Sequence, residues 1–217
     1  MDFEKAKFNM VEQLIRPWNV LNTQLLDKFM EINRHDFVST DQQTLAYSDT
    51  ELSLSHGQKM LNPKVEAKLL QALDPQAEHT ALEIGTGSGF VTALLAASVK
   101  SVVTVEYHQD LLDQAKKNLE AYKFDNVIFE QGDASKDWPD GKTYNLIFIS
   151  GALPEITEAY KNKLAIGGKL VVVEGKTPDM KAKLITHLDQ KLWKEEMLFE
   201  TELAYLINTH PSANFEF

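Results

Sequence analysis

The segment Glu83-Ile84-Gly85-Thr86-Gly87-Ser88-Gly89-Phe90 constrains this chain more than any other. It follows a short apolar run, Ala81 to Ile84, and opens a helical one, Phe90 to Val99. Three alternating glycines let the backbone turn sharply and let a ligand come close to main-chain N–H groups. A tight strand-to-helix turn alone does not require three. The dinucleotide fingerprint Gly-x-Gly-x-x-Gly fails here, because its third glycine would stand at Phe90. A P-loop fails as well. Gly141-Lys142-Thr143 resembles its tail, but Lys136 stands where the leading glycine is needed.

What surrounds the glycines is a strand–helix alternation. Ser101 to Val105 is β-branched and reads as a strand. Asp110 to Tyr122 is amphipathic, with Leu111, Leu112, Ala115 and Leu119 on one face. Asn126–Glu130, Tyr144–Ile149 and Lys169–Val173 are further strands, and Glu155–Leu164 and Asp179–Leu188 are expected helices. Such alternation pairs strands in parallel through right-handed crossovers, giving an open α/β sheet. Trp193–Glu200 and Leu203–Asn208 have no helix between them, so they are expected to close the sheet as an antiparallel pair. The first 75 residues differ. Met10, Val11, Leu14 and Ile15 share a helical face; Asn22 or Thr23 caps a second helix; Pro63 starts a third that ends before Pro75. The chain therefore divides into a helical, loop-rich extension over residues 1–75 and an α/β unit over 76–217.

Composition excludes whole classes of chemistry. Of 217 residues none is cysteine, which removes disulfides, thiolate nucleophiles and Cys-ligated metal centres. The six histidines show no metal-ligand spacing, so no metal is expected. A net charge of −10 disfavours nucleic acid and anionic membrane surfaces as partners. The opening Met-Asp-Phe-Glu-Lys has no signal-peptide character, and Phe90–Val99 is too short to span a bilayer, so a soluble, cytoplasmic protein is the expectation, with a monomer as default.

The spacing Glu-x-Gly-x-Gly-x-Gly resembles that of class I S-adenosylmethionine-dependent methyltransferases. The resemblance implies a Rossmann-like, mostly parallel seven-stranded sheet with an antiparallel C-terminal strand, and S-adenosyl-L-methionine as cofactor. That ligand is cationic and carries no phosphate, so a carboxylate beside the loop suits it. Glu83 would offset its ammonium or sulfonium, and Gly85, Thr86, Gly87, Ser88 and Gly89 would form its cradle. Glu106, with Tyr107 after it, ends the next strand, where a carboxylate accepts ribose hydroxyls. Asp133 would accept from the adenine amino group while the N–H of Ala134 donates to the ring.

More specific segments resemble the protein-L-isoaspartate O-methyltransferase family over nearly the whole chain. Arg34-His35-Asp36-Phe37-Val38 is similar to its Pro-Arg-x-x-Phe-Val, and Ala46-Tyr47-Ser48-Asp49 to its Ala-Tyr-x-Asp. Gly57-Gln58-Lys59-Met60-Leu61-Asn62-Pro63 lies where the family has Gly-Gln-Thr-Ile-Ser-Gln-Pro, and Gly132-Asp133-Ala134 with Trp138 follows its Gly-Asp-Gly and nearby Trp. The resemblance implies a carboxyl methyltransferase acting on isoaspartyl residues of proteins or peptides, in protein repair, with Asp49, Lys59, Leu61, Asn62 and Ser150 on the substrate side. Asp49 either touches substrate or caps its loop. An isoaspartyl carboxylate, with a pKa of about 3.5, is already ionised at neutral pH. It needs placement and exclusion of water rather than a base, so no catalytic dyad is expected. Lys59 and Leu61 replace the family's Thr and Ser. That departure keeps two alternatives open: a methyltransferase of the same lineage with another acceptor, and a module that binds the cofactor without turnover.

Overall fold

The computed structural model describes residues 2–210. Helix α1 (Phe3–Asn9) is capped by Asp2, whose side chain accepts from the Lys5 N–H, and it runs on through a wide π-helical turn, Met10–Ile15. Asn22 caps α2 (Thr23–Glu31) by accepting from the Leu25 N–H. Short 3₁₀ turns follow, and then a ribbon of two two-residue strands, β1 (Leu52–Ser53) and β2 (Lys59–Met60). Pro63 opens α3 (Pro63–Leu73) behind an Asn62 cap.

The α/β unit then runs β3 (Thr80–Ile84), α4 (Phe90–Ala96), β4 (Ser101–Glu106), α5 (Gln109–Glu120), β5 (Val127–Gln131), β6 (Tyr144–Leu153), α6 (Glu158–Asn162), β7 (Leu164–Lys176), β8 (Asp179–Asp189) and β9 (Leu192–Glu200). Seven strands form one sheet in the order β5-β4-β3-β6-β7-β8-β9. The first five lie parallel, and β8 runs antiparallel to both its neighbours. The order reverses at β3, whose neighbours are β4 and β6, so a crevice opens at the carboxyl ends of those strands.

Both faces of the sheet are covered, which is why its central strands read as unbroken apolar runs. On one face Ala81, Phe148, Val171 and Val173 pack with Met10, Leu26, Phe29, Leu69 and Leu70 from the N-terminal helices. On the other, Leu82, Ile147, Leu170 and Val172 pack with Tyr160. The N-terminal helices therefore share a core with the sheet.

Two expectations fail at the C-terminal end. Asp179–Leu188 is strand β8, not a helix. Met180, Ala182 and Leu184 fall on one face and Ile185 on the other, and β7 and β9 flank the segment on both edges. Its apolar residues fit a helical spacing almost as well as a period of two, and the tight turns Thr177-Pro178 and Gln190-Lys191 decide for the hairpins. Leu203–Asn208 does not pair with Trp193–Glu200, whose one partner among the described residues is β8. It crosses back to β6 instead, with the Ala152 N–H donating to the Ala204 carbonyl (2.8 Å) and the Leu206 N–H to the Ala152 carbonyl (3.0 Å).

Candidate functional site

The β3–α4 turn places the glycines at the mouth of the crevice. Gly85, Gly87 and Gly89 all have positive φ (89°, 53° and 86°). The loop is anchored by its neighbour strand: the N–H groups of Gly85 and Thr86 donate to the Val105 carbonyl, and the Thr86 and Thr104 hydroxyls lie 2.6 Å apart. A Cβ on Gly87 would stand 3.3 Å from Leu54, and one on Gly85 3.3 Å from Ser150. The loop is thus held between the N-terminal segment and β6, with little room for a side chain at Gly85 or Gly87.

Glu106, at the end of β4, organises the crevice from below. Its carboxylate accepts from the Gly87 N–H (2.9 Å) and the His108 N–H (3.1 Å). Two of its four acceptor positions remain for a ligand. Asp133 follows β5, accepting from the Ser135 N–H (2.9 Å) at Oδ1 and from the Asn208 amide (2.8 Å) at Oδ2. Partial burial pushes its pKa up, but these donors outweigh it and hold the carboxyl below the usual range. Trp138 lies so close to Gly132 that a Cβ there would sit 2.7 Å from the ring, which fixes the approach to Asp133.

A cavity of about 780 Å³ joins these parts. It brings together Gly85, Gly87, Glu106, Tyr107, Asp133 and Ala134 from the cofactor side with Lys59, Leu61 and Ser150 from the substrate side. The lining suits a cationic, phosphate-free ligand: it carries Glu106 and Asp133, and Lys59, its one Lys or Arg among the described residues, is already paired with Glu51 at 2.7 Å.

Other residues expected at the site lie elsewhere. Glu83 is fully buried behind the loop, accepting at one oxygen from Thr92 (2.5 Å) and Thr104 (2.7 Å), while its other oxygen has no partner. Burial pushes its pKa up to about 8, so the carboxyl is largely protonated at neutral pH. Glu83, Thr86 and Ser88, with Glu66, line an adjoining recess that shares Gly85, Gly87, Lys59, Leu61 and Ser150 with the larger cavity. Gly89 packs against α5, where a Cβ would meet Leu119 at 2.5 Å. Asp49 and Asn62 are outside the cavity wall: Asn62 and Lys64 both donate to Asp49, which ties the loop to the start of α3. Asp49 is a loop anchor here.

Three features escaped the sequence. Arg34 is fully buried and forms an ion pair with Glu66, and it also donates to the Leu61 carbonyl. Burial lowers the Arg34 pKa and raises that of Glu66, and each partner partly reverses the other's shift. The Leu203–Ile207 strap forms a cavity wall. His56, His108 and Asp110 come together at the rim, where His56 lies 2.8 Å from Asp110 and its ring stacks on His108 with centroids 3.8 Å apart and planes 8° apart. Ring nitrogen lone pairs lie in the ring plane, so two nearly parallel, stacked rings do not aim at one ion. The cluster clasps the Ser55–Gly57 turn to α5. No local pattern connects Arg34 to Glu66, or His56 to Asp110, across such distances in sequence.

Comparison with known proteins places this architecture. The family model described as Protein-L-isoaspartate(D-aspartate) O-methyltransferase matches residues 5–206. A protein-L-isoaspartate O-methyltransferase of Petrotoga mobilis is 34% identical over 197 residues, covering 90% of this chain and 92% of that protein. One of Aeropyrum pernix is 36% identical over 182 residues, covering 82% and 70%. A solved protein-L-isoaspartate O-methyltransferase superposes with a TM-score of 0.80 at 23% identity, covering 92% of this chain and 65% of that one. A Plasmodium falciparum protein provisionally given the same name, solved in complex with S-adenosyl-L-homocysteine, superposes at 0.75 and 18% identity over 95% and 98% of the two chains. Among the described residues no helix is long and apolar enough to cross a membrane. By the family match along its length and by its relatives, this chain belongs to the protein-L-isoaspartate(D-aspartate) O-methyltransferase family of S-adenosylmethionine-dependent enzymes.

Proposed function

We propose that this protein methylates the carboxylate of isoaspartyl residues in damaged peptides and proteins, using the cavity between the glycine loop and the Glu51–Leu61 segment. The observation that carries the reading is that one cavity is walled by both halves of the chain: Gly85, Gly87, Glu106 and Asp133 on one side, Lys59 and Leu61 on the other. Two sites that must meet for a group transfer therefore share one cleft.

The residues present fit S-adenosylmethionine. Glu106 has acceptor positions left for ribose hydroxyls, Asp133 for the adenine amino group, and the glycine turn leaves main-chain atoms open to close approach. When bound, the cofactor supplies an electrophilic methyl group on a sulfonium. The chain's own contribution is placement. Lys59, held by Glu51 and raised in pKa by that pairing, keeps a cation at the wall where an anionic acceptor enters. Ile84, Val105 and Leu61 make the inner surface apolar and limit water. No group is required to remove a proton, since the acceptor is already ionised.

The experiment is transfer of a labelled methyl group from the cofactor to an isoaspartyl peptide, beside its normal-aspartyl twin. A base-labile ester on the isoaspartyl peptide alone is expected. Equal labelling of both, or of neither, overturns the reading. A second acceptor class is favoured by one observation. Leu61 is buried and lines the cavity with an apolar side chain where the family has a hydroxyl. Leu61→Ser leaving isoaspartyl activity absent, with transfer to another acceptor intact, would select that alternative.

A further inference from the structure

The strap after β9 ends in a contact that the family motifs do not include. Residues 203–207 cross β6 at Ala152, and Leu206 lies over Gly151 so closely that a Cβ there would stand 2.8 Å from it. The Thr209 hydroxyl and N–H both donate to the Leu206 carbonyl, closing a turn around Asn208, which sits at φ 65°. Asparagine tolerates that left-handed conformation better than most residues, so the turn by itself accounts for an Asn. It does not account for where the side chain goes. The Asn208 amide reaches 75 positions back in sequence and donates to Asp133 Oδ2 at 2.8 Å.

We infer that Asn208 is a positioning residue for Asp133, fixing the carboxylate in the orientation in which it accepts the adenine amino group. The inference rests on the cofactor reading of Asp133 given above. A terminal carboxylate turns broadly about its last torsion. The Ser135 N–H on Oδ1 and the Asn208 amide on Oδ2 grip it from both oxygens, taking two of its four acceptor positions and leaving two for a ligand. The strap that carries Asn208 also walls the cavity through Leu203, Ala204, Tyr205 and Leu206. The donor is thus mounted on a segment anchored to β6, and its position does not depend on the mobility of a free side chain on a loop tip. Outer partners of this kind set the orientation of the groups that touch a ligand.

The test separates turn from amide. Asn208→Gly keeps the left-handed turn and removes only the side chain. Binding of S-adenosyl-L-homocysteine, and of the analogue whose purine lacks the 6-amino group, is measured by calorimetry on wild type, Asn208→Gly and Asp133→Ala. In wild type, loss of the amino group is expected to weaken binding about tenfold, the scale of one hydrogen bond to a charged acceptor. Asn208→Gly is expected to weaken binding of the amino-bearing ligand by about three- to tenfold and to leave the other nearly unchanged, so the discrimination shrinks. In turnover the same variant raises the KM for cofactor and leaves kcat in place. If Asp133→Ala leaves the amino discrimination intact, the reading of Asp133 is wrong and the inference falls with it. If Asp133→Ala abolishes discrimination while Asn208→Gly leaves both affinities unchanged, only the inference falls. Tighter binding by Asn208→Gly would show that the amide competes with the cofactor, and overturns it as well.

Discussion

The two halves that share the cavity hold their charges in opposite ways. On the sheet side, main-chain N–H groups grip the carboxylates: Glu106 by Gly87 and His108, and Asp133 by Ser135, with the Asn208 amide as the one side-chain donor named for this pair. On the N-terminal side, charges are held by other side chains: Arg34 by Glu66, Lys59 by Glu51, Lys64 by Asp49. Main-chain donors are fixed by the fold and remain when one side chain is changed. A paired side chain leaves an orphan when its partner is lost. The sheet side is accordingly the more tolerant scaffold, and its substitutions act on binding. The N-terminal side acts on stability where it is buried and on acceptor choice where it is exposed.

Glu66→Ala probes the contrast at its strongest. It abandons a fully buried guanidinium and is expected to cost about 3–5 kcal/mol in denaturant unfolding. A paired replacement of Arg34 and Glu66 by Met and Leu should be much milder. A cost below 1 kcal/mol for Glu66→Ala alone would break the comparison.

On the sheet side, Glu106→Ala removes acceptors of two N–H groups and of the proposed ribose contact. A loss of about ten- to a hundredfold in affinity for S-adenosyl-L-homocysteine is expected by calorimetry, with the fold retained. Unfolding of the variant at room temperature would instead make Glu106 a structural keystone.

Glu83 lies behind the loop and sharpens the same contrast through pH. Its pKa is raised to about 8 in the folded protein, above the ordinary 4.5. Between those values the folded state binds more protons than the unfolded one, so this contribution to stability is complete below about pH 4.5 and is lost as pH rises through about 8. The slope is at most about 1.4 kcal/mol per pH unit. Glu83→Gln should flatten it in urea titrations at pH 5.5, 6.5 and 7.5; an unchanged slope would assign the pH dependence to another group.

Lys59 marks the small end. It is half exposed, so Lys59→Thr is expected to move stability by less than about 1 kcal/mol. If Lys59 serves the acceptor, its loss should raise the KM for an isoaspartyl peptide, more at low than at high ionic strength. A salt-independent effect would remove charge from the account.

Legibility followed the range of the interactions. The strands of the parallel sheet, the helices at Asn22, Pro63, Phe90 and Asp110, and the glycine turn are all written in short windows, and each was legible to within a few residues. Segment 179–188 was misread because Met180, Ala182, Leu184 and Ile185 fit a strand and a helix nearly alike, and only the flanking strands resolve it. The cavity residues Gly85, Gly87, Glu106, Asp133, Lys59 and Leu61 were legible from motif positions. Glu83, Asp49 and Asn62 stood at motif positions too, yet their side chains are spent on Thr92 and Thr104, on Lys64, and on capping α3.

The sequence alone determined the α/β alternation, the exclusion of thiol chemistry and the three carboxylates at successive strand ends, because each depends on local spacing or on counting. The tertiary structure decided which of those carboxylates lines the main cavity. Glu106 and Asp133 line the open crevice, while Glu83 is closed in, partnered by two hydroxyls. Complete burial, which no local window records, raises the Glu83 pKa because it sets the cost of keeping a charge.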